Sequence, residues 1–167
     1  MTAVIITVIV FAIGADQVTK ALLTKGAMQF IPGFIRFEPV RNEGMAWGLM
    51  NGVNWFVPAV SVVTVIILAL FIWVLIKHRR IMHPAISLGF AMVIGGAAGN
   101  LIDRIALGYV RDFICTEFIS FPVFNVADIF VTVGALLLGF MFIFTKSGHA
   151  LFAAVFPDEK HGGGEAE

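Results

Sequence analysis

Charge is what this sequence has least of. Lys and Arg number 11 and Asp and Glu another 11, so charged residues make up 13% of 167, while 59% are hydrophobic. A soluble domain carries about 25% charged residues, and a mean hydropathy of +0.96 excludes that class. The formal net charge of zero removes the basic footprint a nucleic-acid partner would require. Cys115 is the single cysteine, so no intrachain disulfide framework exists. The four histidines, His78, His83, His149 and His161, lack the HExxH spacing of a zinc protease. A chain this poor in charge belongs in a bilayer, and its few polar groups become informative by position.

A bilayer-spanning helix needs about 20 mostly apolar residues, and four stretches qualify. Phe56 to Ile76 is uncharged throughout. Pro84 to Ile102 is uncharged as well; it opens on a proline suited to a first helical turn and carries Gly95, Gly96, Ala97, Ala98 and Gly99, small residues that let helices approach closely. Thr2 to Leu23 is apolar apart from Asp16, Gln17 and Lys20, and Phe121 to Thr145 apart from Asn125 and Asp128. The fold class expected is an all-α membrane protein with spans at about 2–23, 56–76, 84–104 and 121–145 in one domain, 1–156, followed by a disordered cytoplasmic tail, 157–167. The first fifteen residues lack a basic n-region and a small-residue cleavage site, so they read as a retained helix.

Lys77, His78, Arg79 and Arg80 form the densest basic cluster, which places the linker between spans two and three in the cytoplasm. Both termini then face the cytoplasm, although Lys25, Arg36 and Arg41 in the first outer loop oppose that orientation. Within this loop, Gln29 to Val40 surrounds Pro32-Gly33 with apolar and aromatic residues, which predicts short strands about a turn. A small extracytoplasmic β element between spans one and two is expected on the membrane surface, with Trp47 and Trp55 at the interface.

On this topology the polar residues converge on the outer side. Asp16, Gln17 and Lys20 lie in the outward half of span one; Asn100, Asp103 and Arg104 end span three; Asn125 and Asp128 begin span four; Asp112 falls in the loop between the last two. Residues three or four apart share a helix face, so each helix end presents a polar stripe. Ionisable groups in membrane segments are costly and face partners or cavities. Asp16 with Lys20, and Asp103 with Arg104, also fit a purely structural role as neutralised pairs. Asp112 and Asp128 fit it less well, because Arg111 adjoins Asp112 but adjacent residues point different ways, and Asp128 has no basic residue near it in sequence.

Two carboxylates held together share a proton, and can divide base and acid roles on a water and a carbonyl as aspartic proteases do. The fifteen residues between Asp112 and Asp128 suffice for the chain to fold back. Cys115 with a histidine is excluded by sidedness, which makes Cys115 a packed or interfacial thiol. A Lys20–Ser120 dyad stays open, as do an ion-coupled transporter and a structural adaptor. The ionisable groups sit at one depth only, against a conduction path; an adaptor leaves Asp112 and Asp128 without a role.

Five segments, taken in order, resemble the motifs of the bacterial lipoprotein signal peptidases, or signal peptidase II family. They are Asp16-Gln17-Val18-Thr19-Lys20, Asn42-Glu43-Gly44-Met45-Ala46-Trp47, Gly95 through Arg104, Val110-Arg111-Asp112-Phe113, and Phe124-Asn125-Val126-Ala127-Asp128. Met45, Gly48 and Ile129 depart from the residues commonest in that family. The resemblance implies an aspartic endopeptidase of the bacterial inner membrane with catalytic Asp112 and Asp128. It implies that Asn42, Asn100, Arg104 and Asn125 line the site, with Asp16, Lys20 and Asp103 in support, and that no cofactor or metal takes part. The substrate implied is a diacylglyceryl-modified prolipoprotein, cut on the amino side of its lipidated cysteine at the outer face of the membrane. Membrane lipid and globomycin-type inhibitors are the other expected partners, and a monomer the expected state.

Overall fold

A computed structural model of the chain describes residues 2–43 and 55–157. Among these described residues four helices are long and apolar enough to cross a membrane: α1 (Thr2–Leu23), α2 (Phe56–His78), α3 (Pro84–Leu107) and α4 (Val126–Phe144). Between them run three strands, β1 (Met28–Ile31), β2 (Ile35–Asn42) and β3 (Val110–Thr116), and a short helix, α5 (Lys146–Val155), follows α4.

α3 is the centre of the bundle. Its most apolar stretch is 56% buried, against 6% to 22% for the other three helices, and the small residues noted in the sequence are the reason. Gly95 backs onto Ala12 and the Ile9 backbone of α1, and Gly96 faces the Ala127 carbonyl of α4 so closely that a methyl group there would collide with it. Gly89 and Gly134 meet across α3 and α4. Without a hydrophobic driving force between helices in lipid, such close backbone approach is what holds spans together. Apolar residues on the outward faces of α1, α2 and α4, such as Phe11, Ile66 and Leu136, remain exposed, as lipid-facing surfaces require.

His83 caps the start of α3, its ring accepting from Ala85 N, with Pro84 in the first turn. Asp16 and Lys20, late in α1, meet Asn100 and Asp103, late in α3, so these two helices run the same way; α4 starts at that end and returns. About 20 residues at 1.5 Å each separate His83 from this polar end. At the opposite end Leu75, Met82, Ile86, Met141 and Leu151 belong to the apolar core.

Several boundaries differ from the sequence reading. The second and third spans run on to His78 and Leu107. The fourth helix begins at Val126 rather than near Phe121, because Phe124 is used in an extended pairing with Ile114. The helix expected to Thr145 stops at Phe144: Thr145 is extended, and its hydroxyl accepts from Gly148 N at 3.0 Å to start α5, an element the sequence reading did not contain. Asp112 lies on a strand, β3, not in a loop.

The expected strands flank Pro32-Gly33, where Gly33 adopts a positive φ of 74°. β1, β2 and β3 form one antiparallel sheet in that order, so the element has two strands from the first loop and a third from between α3 and α4. The β2–β3 register shifts between Phe37 and Val40, where Pro39, unable to donate to a ladder, sits in the irregularity. Beyond it Val40 pairs with Asp112 and Asn42 with Val110. Residues 44–47 of the second motif, with Trp47 among them, and residues 158–167 of the C-terminal segment lie outside the described residues, whereas Trp55 is exposed at the start of α2.

Candidate active site

The polar end of the bundle divides into two connected layers. The inner one is a closed ion network. Lys20 is fully buried, and its ammonium reaches Asp16 Oδ2 at 2.8 Å, Asp103 Oδ2 at 3.2 Å and Asn100 Oδ1 at 2.9 Å. That gives an acceptor to each of its three protons. Asp16 Oδ1 accepts from Ala127 N at 3.0 Å, which pins α4 to α1. Gly99 leaves the space for Asp16: a Cβ at this position would stand 2.6 Å from its Oδ2.

Asp103 pairs with Arg111, not with Arg104 as the sequence reading allowed. The Arg111 guanidinium meets both Asp103 oxygens, NH2 to Oδ1 at 2.7 Å and Nε to Oδ2 at 3.2 Å, while its own backbone N–H donates to Oδ2 at 3.0 Å. Neighbours on a helix diverge by about 100°, so Asp103 and Arg104 cannot share a face. The hydrogen bonds to Asp103 raise the Arg111 pKa further. Gln17 closes the layer, accepting from Arg111 NH2 at 2.8 Å and donating to Asp16 Oδ2 at 3.0 Å and Gly99 O at 3.1 Å.

The outer layer holds Asp112 and Asp128. They come together because residues 117–124 loop back and Phe124 bonds the backbone of Phe113 and Ile114. Asn125 is thereby set beside Asp112 as α4 begins. Asn125 and Asp128 then form a reciprocal cap: the Asn125 side chain accepts from Asp128 N at 3.0 Å, and Asp128 Oδ2 accepts from Asn125 N at 3.0 Å. This satisfies two otherwise unpaired helix-end donors.

The amide orientations follow from these contacts. Lys20 can only donate, so the Asn100 oxygen faces it and the Asn100 NH2 faces Asp128 Oδ1, at 2.7 Å. The Asn125 oxygen is taken by the cap, which turns its NH2 to Asp112 Oδ1 at 2.6 Å and Asn100 Oδ1 at 3.0 Å. Asn42 Nδ2 donates to Asp112 Oδ2 at 2.8 Å. Both carboxylates therefore accept at both oxygens, and a continuous amide chain links them to Lys20. Burial lifts the Asp112 pKa to about 6; the Asn42 amide draws it back, and Asp128 pushes it up.

Asp112 and Asp128 face one cavity of about 490 Å³, shared with Asn42 and walled by the 121–124 segment and by Ile129, Thr132 and Val133 of α4. Arg104 is half-buried and does not itself line this cavity, but its guanidinium feels the charges of Asp128, Asp112 and Asp103. Among the described residues it closes no ion pair. Cys115 is buried in β3, where burial pushes its thiol pKa up.

A profile of the family described as signal peptidase (SPase) II matches residues 8–144. The chain belongs to the signal peptidase II family. The lipoprotein signal peptidase of Caldanaerobacter subterraneus subsp. tengcongensis is 41% identical over 145 residues, which cover 83% of this chain and 95% of that protein. Its counterpart from Enterococcus faecalis is 40% identical over 131 residues, covering 75% and 79%. A solved structure described as a bacterial membrane enzyme, determined by the in meso method, superposes with a TM-score of 0.71 at 28% identity, over 99% of this chain and 95% of that one. Membership of the signal peptidase II family makes the chain a protease, and the four apolar helices make it a multi-pass membrane protein.

Every site residue expected from the sequence of this signal peptidase II chain lies at this one end of the bundle: Asn42, Asp112, Asp128, Asn100 and Asn125 in a single hydrogen-bonded set, Arg104 beside them, and Asp16, Lys20 and Asp103 beneath. Gln17 and Arg111 were not assigned a role. Their signal was present, since Gln17 lies inside the first motif and Arg111 precedes Asp112, but their partners are 94 and 8 residues away in sequence.

Proposed function

We propose that the chain is an aspartyl endopeptidase that removes the signal peptide from diacylglyceryl-modified bacterial prolipoproteins, cutting on the amino side of the lipidated cysteine. Asp112 and Asp128 are its catalytic pair. The observation that carries this reading is the placement of both carboxylates, from different elements, on one cavity. A water between them is activated by the ionised member, while the protonated member donates to the scissile carbonyl oxygen; the proton then passes to the leaving amine. Charge balance supports a singly protonated pair. Asp16 and Asp103 are matched by Lys20 and Arg111, which leaves one net negative charge on the pair opposite Arg104.

Asn42, Asn100 and Asn125 hold the carboxylates in register, and Arg104 stabilises charge that develops on the substrate. Asp16, Lys20 and Asp103 keep Asn100 oriented. The basic cluster Lys77 to Arg80 lies at the other end of the bundle, which supports cytoplasmic termini and a site at the outer face of the inner membrane. There the signal helix and acyl chains stay in lipid while the scissile bond meets water. Globomycin-type cyclic peptides are expected to occupy the same cavity, and the enzyme to act as a monomer.

The test is a gel-shift cleavage assay in detergent with a diacylglyceryl-modified prolipoprotein, comparing wild type with Asp112→Asn and Asp128→Asn at matched folded amounts. Loss of acid–base catalysis lowers the rate by about 10²- to 10⁴-fold. Wild-type rates in either variant would remove the pair.

A further inference from the structure

The cavity that holds Asp112 and Asp128 continues one helical turn along α4, past Ile129 to Thr132 and Val133. Ile129 and Val133 are 43% and 46% exposed, and Thr132 is exposed with them. In the membrane helices Thr19, Ser61 and Thr64 return their hydroxyls to the carbonyl four residues back, at 2.7 Å each. Thr132 does not, and neither do Thr2 and Thr7 of α1 or the buried Ser87 of α3; of these hydroxyls without a partner among the described residues, that of Thr132 belongs to a residue lining the cavity that holds Asp112 and Asp128. A polar group on an otherwise apolar stretch of cavity wall, inside a span, is thus left available to whatever fills the space.

We infer that the Thr132 hydroxyl hydrogen-bonds the main chain of the signal peptide about two residues before the scissile bond, making Thr132 a substrate-positioning residue. This rests on the protease reading above. The distance along α4 from Asp128 to Thr132 is about 6 Å, four residues at 1.5 Å, and two residues of extended chain span about 6.6 Å. α4 runs away from the polar end, so Thr132 lies on the side from which a signal helix rises. The segment to be cut must leave its helix to present a carbonyl, and each N–H and C=O so freed at membrane depth needs a partner. A hydroxyl serves as both donor and acceptor. Ile129 and Val133 on either side offer contact to small apolar side chains.

The test uses synthetic diacylglyceryl lipopeptides with the full-length enzyme in detergent. Thr132→Val, which keeps the shape and removes the hydroxyl, is expected to raise KM by about 3- to 10-fold with kcat little changed; Thr132→Ser is expected to stay near wild type. In a lipopeptide with the amide two residues before the cut replaced by an ester, the Thr132→Val effect is expected to shrink to under about 2-fold, because the contact is already weakened. Undiminished loss with that ester and with its neighbours on either side would overturn the inference, as would an unchanged KM in Thr132→Val. So would a Thr132→Val effect that vanishes when the glyceryl esters are replaced by ethers, since the hydroxyl would then be reading the lipid. The Asp112→Asn and Asp128→Asn assays separate the two claims: their full activity would sink the catalytic pair whatever Thr132 does.

Discussion

Four aspartates crowd one end of this bundle, two in each layer, and the layers treat them in opposite ways. Asp16 and Asp103 are fully buried, and each meets Lys20, with Arg111 added on Asp103. Asp112 and Asp128 have no cation within ion-pair distance among the described residues and are held by amides instead. A carboxylate locked to a cation keeps its charge and its place. One held by neutral donors keeps its place but stays free to exchange a proton. The same residue type thus serves architecture in one layer and, on the reading proposed here, chemistry in the other, and the Asn100 side chain, touching Lys20, Asn125 and Asp128, joins the two.

The sharpest way to break the contrast is to remove the cation at its centre. Lys20→Met leaves Asp16 and Asp103 short of a buried partner, a change worth about 3–5 kcal/mol of lost stability. It should appear as a large drop in the unfolding midpoint in detergent. Asp112→Asn should abolish cleavage while leaving the midpoint at neutral pH near that of wild type. If Lys20→Met proved as stable as Asp112→Asn, the division between layers would fail.

A second, smaller effect separates the layers by pH. Burial raises Asp112 from its ordinary 3.8 to about 6, so the folded state holds that proton more tightly than the unfolded chain. Its contribution to stability is therefore full below about pH 4 and is lost as pH rises through about 6, amounting to about 3 kcal/mol in all. Asp112→Asn should remove this part of the slope when unfolding is followed from pH 4 to 8. An unchanged slope would mean that Asp112 titrates alike in both states.

Gly99→Ala probes the space beneath the network. Its Cβ would stand 2.6 Å from Asp16 Oδ2, and because Asp16 is tied to Lys20, Gln17 and Ala127 N it has little room to give. Overpacking of this kind costs about 1–3 kcal/mol, read as a fall in the midpoint. Gly139→Ala, where nothing lies within 4 Å, should have no such effect.

How much of this was legible in the sequence varied with the range of the interaction involved. The spans were legible because length and hydropathy are local properties. Asp16 with Lys20, and Asn125 with Asp128, were legible because helix spacing decides them. β3 was not, since Val110, Asp112, Phe113, Ile114 and Cys115 are all buried and the strand therefore lacks the alternation that marks one wet face. α5 was missed because ten residues are too few for a span. The partner of Asp103 was misjudged for the same reason that Arg111 was passed over: the pairing depends on how β3 returns across the end of α3, which no local pattern records.

Arg111 offers the finest test of the comparison, because its charge and its geometry can be separated. Arg111→Lys keeps the cation, so a network that needs only neutrality should tolerate it. The guanidinium, however, makes two side-chain contacts to Asp103 and a third to Gln17, a planar fork that an ammonium cannot reproduce. Losing one charge-assisted hydrogen bond costs about 1.5–3 kcal/mol where burial is complete, and Arg111 is one-quarter exposed, which brings the expectation to about 1 kcal/mol. Since Asp103 and Asp16 stay joined through Lys20, Asn100 should keep its orientation and cleavage should fall by no more than a few-fold. A large loss of activity at nearly unchanged stability would mean that the cation layer shapes the reacting pair directly, and the two layers would have to be treated as one.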